Sequence, residues 1–298
     1  MIVISPIYNE KNALELAKHL DTSYTPIHTK VFPNKEILAR IEDPDKIRNN
    51  KIILYFPTYP DTNNRLILLF QTLEILGTYN ANKISLLIPY LSYSRQDKRF
   101  LEGEALSLKL FLEILEYLGV DTLYTIDIHS KEALQKYCKI RYKIISLSKE
   151  LVKTIKRGIV GKDEFILVAP DEGRLETIKK LAKHFQVDYI SFKKIRDLHT
   201  GKITIKPPNT INKLKNPIIL DDEISTGGTI SKVAKILKEK GSENIIAAAI
   251  HLILIDKAIE RLYNSGVTHI VGTNTIPNPF TILNIEEYVA KEILKMEK

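Results

Sequence analysis

Apolar residues along the chain gather in short, nearly continuous runs. They occupy residues 51–56 (KIILYF), 84–90 (ISLLIPY), 123–127 (LYTID), 165–169 (FILVA), 217–221 (PIILD), 244–250 (NIIAAAI) and 269–272 (HIVG). Runs without alternation predict parallel strands covered on both faces. Amphipathic stretches lie between them. After Gly228, apolar side chains fall at Ile230, Val233, Ala234 and Leu237, the spacing of one buried helical face. Residues 105–118 repeat that spacing. Strands alternating with helices predict an α/β, doubly wound arrangement of mainly parallel sheets. The strands are too many for one compact sheet, and a split near residues 140–150 leaves two halves of similar pattern. Residues 193–215 are basic, Thr- and Pro-containing and weakly apolar. They read as an exposed loop or hairpin, where function often sits.

Composition narrows the class. A length of 298 residues accommodates two domains. With 44% hydrophobic residues the chain is not disordered. No apolar run reaches the roughly 18 residues of a membrane span, and the N-terminus lacks the basic-then-apolar order of a signal peptide. The single cysteine, Cys138, closes no internal disulfide and builds no zinc site alone. A cytoplasmic, reduced location is expected. The net charge of +8 favours anionic partners, whether nucleic acid, a membrane surface or phosphorylated small molecules, without choosing among them.

The strongest local signal is the strand Ile218-Ile219-Leu220 running into Asp221-Asp222-Glu223, then Ile224-Ser225-Thr226-Gly227-Gly228-Thr229 before a helix. Amides at a helix N-terminus are unpaired and partly positive, so this turn suits a phosphate. The glycines let the backbone approach, and the carboxylates can accept from sugar hydroxyls or bind hydrated Mg²⁺. An ordinary acid-capped turn is the bland alternative. Pro170-Asp171-Glu172-Gly173-Arg174 follows another buried strand, where open α/β sheets bind ligands; alone it is equally an acidic loop. His129, after Thr125-Ile126-Asp127-Ile128, can ligate a metal, act as a base or touch phosphate, though a lone histidine there is more often structural. Arg95, Lys98 and Arg99 crowd one loop beside Tyr90 and Tyr93. Arginine forks suit phosphate; a solvated loop is the default. Lys194 and Arg196 alternate, so in an extended stretch both face one side. Residues 136–143 interleave aromatics with charge and read as a solvated edge rather than a nucleic-acid surface.

These segments together resemble the ribose-phosphate pyrophosphokinases along nearly the whole chain. The resemblance rests on Tyr93-Ser94-Arg95-Gln96-Asp97, Asp127-Ile128-His129, Pro170-Asp171-Glu172-Gly173, Lys194-Ile195-Arg196, residues 221–229 and Thr273-Asn274-Thr275-Ile276-Pro277, in that order. It implies an enzyme moving the pyrophosphoryl group of ATP to the C1 hydroxyl of ribose 5-phosphate, releasing AMP. It implies two similar α/β domains of phosphoribosyltransferase type. The first would be a nucleotide-binding domain, 1–144, to which 283–298 return; the second would be a ribose-phosphate-binding domain, 145–282. By the same resemblance, Arg95, Gln96, Asp97 and His129 bind ATP, joined by Phe32, Asn34, Lys35 and Glu36 reaching a neighbouring subunit's site. His129 and Asp171 contact Mg²⁺. Asp221, Asp222, Ser225, Thr226, Gly227, Gly228 and Thr229, with Arg196, hold ribose 5-phosphate. Lys194 and Arg196 are the catalytic cations, and a homo-oligomer is implied, with neither nucleic acid nor membrane as partner.

Three positions depart from the family's common pattern. Ser225 stands where many members carry Asp, Arg174 where many carry a second Gly, and Asn34-Lys35 where Asp-Gly is common. Two rival functions share the fold. A phosphoribosyltransferase has the same acidic turn but needs no counterpart of Arg95-Gln96, His129 or Lys194-Arg196. A non-catalytic regulator or nucleic-acid module does not require Lys194, Arg196, His129 and Asp171 to be intact.

Overall fold

The computed structural model describes residues 1–196, 203–208 and 213–296. The chain forms two compact units, Met1–Ser146 with Ile285–Lys298, and Leu147–Asn284.

The first unit carries β1 (Ile2–Pro6), β2 (Ser23–Val31), β3 (Ile37–Ile41), β4 (Lys51–Tyr55), β5 (Lys83–Ile88), β6 (Thr122–Ile126) and β7 (Arg141–Ile145). They form one sheet in the order β3-β2-β1-β4-β5-β6-β7. Only the β2–β3 pair is antiparallel. Helices α1 (Glu10–His19), α2 (Thr62–Thr78), α3 (Ser107–Tyr117) and α4 (Lys131–Tyr137) connect the strands. Helix α3 buries Leu108, Phe111, Leu112 and Leu115, the i, i+3, i+4, i+7 stripe expected of its segment. Helix α4 is short and leans on its cap: Ser130 Oγ accepts the Ala133 amide at 3.2 Å. Such a cap contributes about 1 kcal/mol.

The second unit begins with α5 (Ser148–Ile155) and continues through β8 (Ile166–Ala169), α6 (Leu175–Phe185), β9 (Tyr189–Ser191), β10 (Lys193–Arg196), β11 (Ile203–Lys206), β12 (Pro217–Ile224), α7 (Gly228–Glu239), β13 (Ile245–Leu252), α8 (Ala258–Asn264), β14 (Val267–Thr273) and β15 (Thr281–Leu283). Its main sheet, in the order β15-β14-β13-β12-β8-β9, is parallel throughout. Strand β13 is buried along its length and carries three alanines, Ala247, Ala248 and Ala249. Strand β14 pairs with it at Gly272, where a Cβ would lie 2.6 Å from the Ala249 carbonyl oxygen. Glycine is therefore required at Gly272.

The last helix, α9 (Glu286–Met296), belongs to the first unit and packs on α1. Tyr55 Oη donates to Glu286 Oε1 at 3.0 Å in the interior, and Lys143 Nζ lies 2.8 Å from Glu292 Oε2.

The apolar runs are strands, and two mainly parallel sheets flanked by helices make up the fold. Two readings need adjustment. The 217–221 run does not stop at its carboxylates. Strand β12 stays paired with β13 to Ile224, whereas its pairing with β8 ends at Ile219; Asp221 and Asp222 thus sit within the strand. The 193–215 segment does contain an antiparallel hairpin, β10–β11. It is anchored rather than merely exposed, since Phe192 and Ile205 are buried in the second unit's core. The remainder of that segment, 197–202 and 209–212, lies outside the described residues. The basic 136–143 run leads into β7, an edge strand with only its last residue buried.

Candidate active site

In the first unit the candidate residues lie on loops that leave the C-terminal ends of parallel strands. The loop after β5 is folded on itself. Arg99 Nε donates to the Glu104 carbonyl at 2.8 Å, and Glu104 Oε2 accepts the amides of Phe100 and Leu101. Arg99 is therefore committed to loop structure; Arg95, on the same loop, is exposed. Tyr93 takes a left-handed backbone, φ 63°, and its hydroxyl donates to Asn63 Oδ1 at 2.6 Å. Gln96 Oε1 accepts from Ser107 Oγ at 2.5 Å, fixing the entry of α3. The neighbouring strand β6 ends at Ile126, and the next residue, Asp127, accepts through Oδ1 from Ser146 Oγ at 3.0 Å. His129 follows, exposed, directly before the Ser130 cap of α4.

Phe32, Asn34, Lys35 and Glu36 form the tip of the β2–β3 hairpin. The Phe32 amide donates to Glu36 O at 2.8 Å and the Lys35 amide to Phe32 O at 2.9 Å. Strands β1 and β4 separate β2 from β5. At about 4.8 Å per strand the hairpin's own strand is displaced roughly 14 Å from β5.

In the second unit two adjacent strand ends build the arrangement. Asp171 follows β8 and caps a short turn, its Oδ1 accepting the Gly173 amide at 3.0 Å. Arg174 closes that turn and points at β12, with Nε 3.7 Å from Asp221 Oδ1. Asp221 Oδ1 also accepts the Asp222 amide at 2.8 Å. The Asp221 carboxyl is held well above the ordinary carboxylate range. Burial is the largest cause, followed by a hydrogen bond and the charge of Asp222; Arg174 opposes the shift.

Beyond Ile224, the Ser225-Thr226-Gly227 turn leads into α7. Gly227 has φ +70°, a left-handed conformation that an L side chain resists, and is packed against Leu262. The first-turn amides of α7 then open toward whatever occupies the turn. The turn is braced from behind. The amides of Ile253 and Leu254 donate to Ile224 O at 2.9 and 3.1 Å, and Ile255 donates to Ser225 O at 3.2 Å. Arg261 of α8 donates through Nη1 to Thr226 O and through Nη2 to Asp256 O. Sequence reasoning did not single out Arg261. It binds a main-chain oxygen, which leaves no mark on the residue that supplies it.

The second unit thus brings together Asp171, Arg174, Asp221 and the 225–229 turn, with Lys193 Nζ 3.9 Å from Glu172 Oε1 at its margin. The side chains of Lys194 and Arg196 lie outside the described residues; their backbone is the strand β10. Among the described residues, no group of three or more His, Cys, Asp or Glu side chains is disposed to hold a metal ion.

A parallel sheet whose central strand carries paired acids into a glycine turn and helix, in a chain with another, mainly parallel α/β unit, defines a protein of the phosphoribosyltransferase fold class. Residues 1–119 match the N-terminal domain of ribose phosphate pyrophosphokinase, and residues 130–282 match the phosphoribosyl transferase domain. The chain is 37% identical to a ribose-phosphate pyrophosphokinase of Sulfurisphaera tokodaii, over 98% of this chain and 100% of the relative. It is 40% identical to that of Saccharolobus solfataricus over 88% of each. It also resembles the crystal structure of phosphoribosylpyrophosphate synthetase from Mycobacterium smegmatis, with TM-score 0.87 and 25% identity, over 99% of this chain and 98% of the other. The chain belongs to the ribose-phosphate pyrophosphokinase family. Its activity is that of the family, transfer of the pyrophosphoryl group of ATP to ribose 5-phosphate with release of AMP. Among the described residues, no helix is long and apolar enough to cross a membrane.

Proposed function

We propose that the chain carries out this transfer with ribose 5-phosphate seated on the 225–229 turn and ATP held by the loops after β5 and β6. The observation that carries the reading is the turn: Gly227 at φ +70° opens α7 directly after a strand bearing Asp221 and Asp222. Amides at the helix start suit the 5-phosphate, aided by the hydroxyls of Ser225, Thr226 and Thr229. Asp221 and Asp222 accept from the ribose hydroxyls. Arg95, Gln96, Asp97 and His129 hold the nucleotide, and Phe32, Asn34, Lys35 and Glu36 serve a neighbouring subunit. The lateral displacement of their hairpin supports that division and a homo-oligomer of at least two chains. One cysteine in 298 residues suits the reducing cytoplasm.

His129 and Asp171 are the residues that would contact Mg²⁺. Each would supply a single contact rather than a protein cage, which suits Mg²⁺, an ion that keeps several waters and uses one or two carboxylates plus substrate phosphates. When bound, the ion neutralises charge on the phosphoryl oxygens. The chain's part is positioning and further neutralisation as the C1 hydroxyl attacks the β-phosphorus and AMP leaves. Lys194 and Arg196 supply the cations at that step.

Phosphorus NMR of the purified protein with ATP, Mg²⁺ and ribose 5-phosphate tests the reading. AMP appearing in step with a C1 diphosphate is expected. Pyrophosphate release that depends on an added nucleobase, without AMP, would replace it with a phosphoribosyltransferase.

A further inference from the structure

The turn proposed for the 5-phosphate is held by a segment with unusual backbone. Strand β13 ends at Leu252, and residues 253–257 form a strap behind the turn before α8 begins at Ala258. Three of these residues have a left-handed backbone: Leu254 at φ 52°, Asp256 at φ 51° and Lys257 at φ 59°. None is glycine, so each holds a conformation that L side chains disfavour. Strain of this kind persists where the surroundings over-determine it, and it gathers at ligand sites. Both ends of the strap are fixed. Upstream, the Thr273 and Thr275 hydroxyls donate to Ile250 O at 2.8 and 2.9 Å, and Thr275 Oγ1 lies 3.0 Å from Nδ1 of the buried His251. Downstream, the Ala258 amide donates to Ile255 O at 3.0 Å and the Arg261 amide to Lys257 O at 2.9 Å.

The contacts that brace the turn fall on three successive carbonyls. Ile224 O accepts from the Ile253 and Leu254 amides, Ser225 O from the Ile255 amide, and Thr226 O from Arg261 Nη1. A trans peptide is planar, and its C=O and the following N–H point opposite ways. Holding those three oxygens from behind therefore turns the amides of Ser225, Thr226 and Gly227 to the other side. Successive amides facing one way make an anion-binding concavity. Arg261 does more than a neutral donor would. Its charge strengthens the hydrogen bond to the Thr226–Gly227 peptide. Its second arm, Nη2, ties Asp256 O of the strained strap to the same guanidinium.

We infer that Arg261 is a positioning residue for ribose 5-phosphate: by bridging Thr226 O and Asp256 O, it sets the turn's amides toward the 5-phosphate before the ligand arrives. The inference rests on the proposed seating of ribose 5-phosphate. Arg261 holds main chain rather than sugar, so its effect reaches the ligand through orientation. The 5-phosphate takes no part in the transfer, so the contribution belongs to binding and not to the chemical step. The Thr273-Asn274-Thr275 stretch gains a task as well, since its hydroxyls anchor the strand end from which the strap departs.

Steady-state kinetics of full-length wild type, Arg261→Met and Arg261→Lys, each with its melting temperature, test this. The side chain is exposed, so both variants should fold and melt within about 3 °C of wild type. Arg261→Met should raise KM for ribose 5-phosphate about tenfold, while KM for ATP and kcat stay within about threefold. Arg261→Lys keeps the charge but cannot bridge two carbonyls, so it should still raise that KM roughly fivefold. Full rescue by lysine would overturn the inference, since charge alone would then suffice. So would an unchanged KM in both variants, or equal rises for ATP and ribose 5-phosphate. Gly227→Ala separates this failure from that of the seating. If it raises the ribose 5-phosphate KM and Arg261→Met does not, only the inference falls; if neither does, the seating falls with it.

Discussion

Gly227 is where the fold and the proposed phosphate site meet, and replacing it with alanine separates their contributions. Two penalties follow from the structure. The backbone φ of +70° places an L residue in the left-handed region, at a cost of roughly 1 kcal/mol. The added Cβ would lie 3.2 Å from Leu262 Cγ and 3.4 Å from its Cδ2, so Leu262 must give by a few tenths of an ångström. Leu262 is fully buried in the core of its unit and has little room to give. Together the penalties come to about 1–2 kcal/mol, a fall in melting temperature of roughly 3–8 °C for a unit of this size. The strain sits on the turn proposed for the 5-phosphate, so KM for ribose 5-phosphate should rise about tenfold while KM for ATP holds. Gly228→Ala is the internal control. Its Cβ would meet only Thr226 Oγ1 at 3.6 Å, an ordinary contact, and its φ lies outside the left-handed region. It should melt within about 0.5 kcal/mol of wild type. Scanning calorimetry and initial rates decide the matter. If Gly227→Ala melts like wild type, or Gly228→Ala loses as much, conformational strain is not why glycine stands there.

Lys194→Ala should lower kcat at least a hundredfold with substrate KM values changed by less than about threefold, the loss expected of a donor acting on transition-state charge; near-normal turnover would remove Lys194 from the step. Glu292 is held below the usual glutamate range by its hydrogen bond from Lys143, then by that from Lys295. A depressed carboxylate stabilises the fold above its unfolded pKa and loses that contribution as pH falls through the folded value. Glu292→Gln should therefore cost about 0.5 kcal/mol at pH 7, discounted for exposure, and the difference in melting temperature should vanish below the carboxylate range. The Cys138 thiol is pushed up to about 11, chiefly by burial. At pH 8 it holds over a hundredfold less thiolate than a free cysteine, offset about tenfold by greater nucleophilicity, so alkylation by iodoacetamide should run roughly twentyfold slower than for a free thiol. Alkylation at the free-thiol rate would show that the side chain is not held in that environment.

What could be read from residue order depended on whether the cause was local. The strands covered on both faces announce themselves as apolar runs, and β13 is buried along its whole length. Strand β2 is exposed toward its end and carries Pro26, while β3 alternates on the sheet's edge. Neither forms an apolar run, and β9 and β15 are three residues each, too short for any pattern. The 221–229 strand-to-turn segment was legible because its acids, hydroxyls and glycines are contiguous. Its bracing was not: Arg261 comes from a helix 35 residues later and grips a carbonyl. Arg174 was visible as a departure from the family pattern, but its ion pair with Asp221 is a tertiary fact.

On the proposed seating, Asp171, Asp221 and Asp222 share the second unit with a polyanionic product, so the acids and the phosphates must be kept apart. The strand does this. Side chains on β12 are fixed by its pairing with β13 up to Ile224, so the carboxylates stay on the strand while the chain turns away to present amides four residues later. A 5-phosphate seated as proposed would then meet backbone dipoles rather than carboxylates.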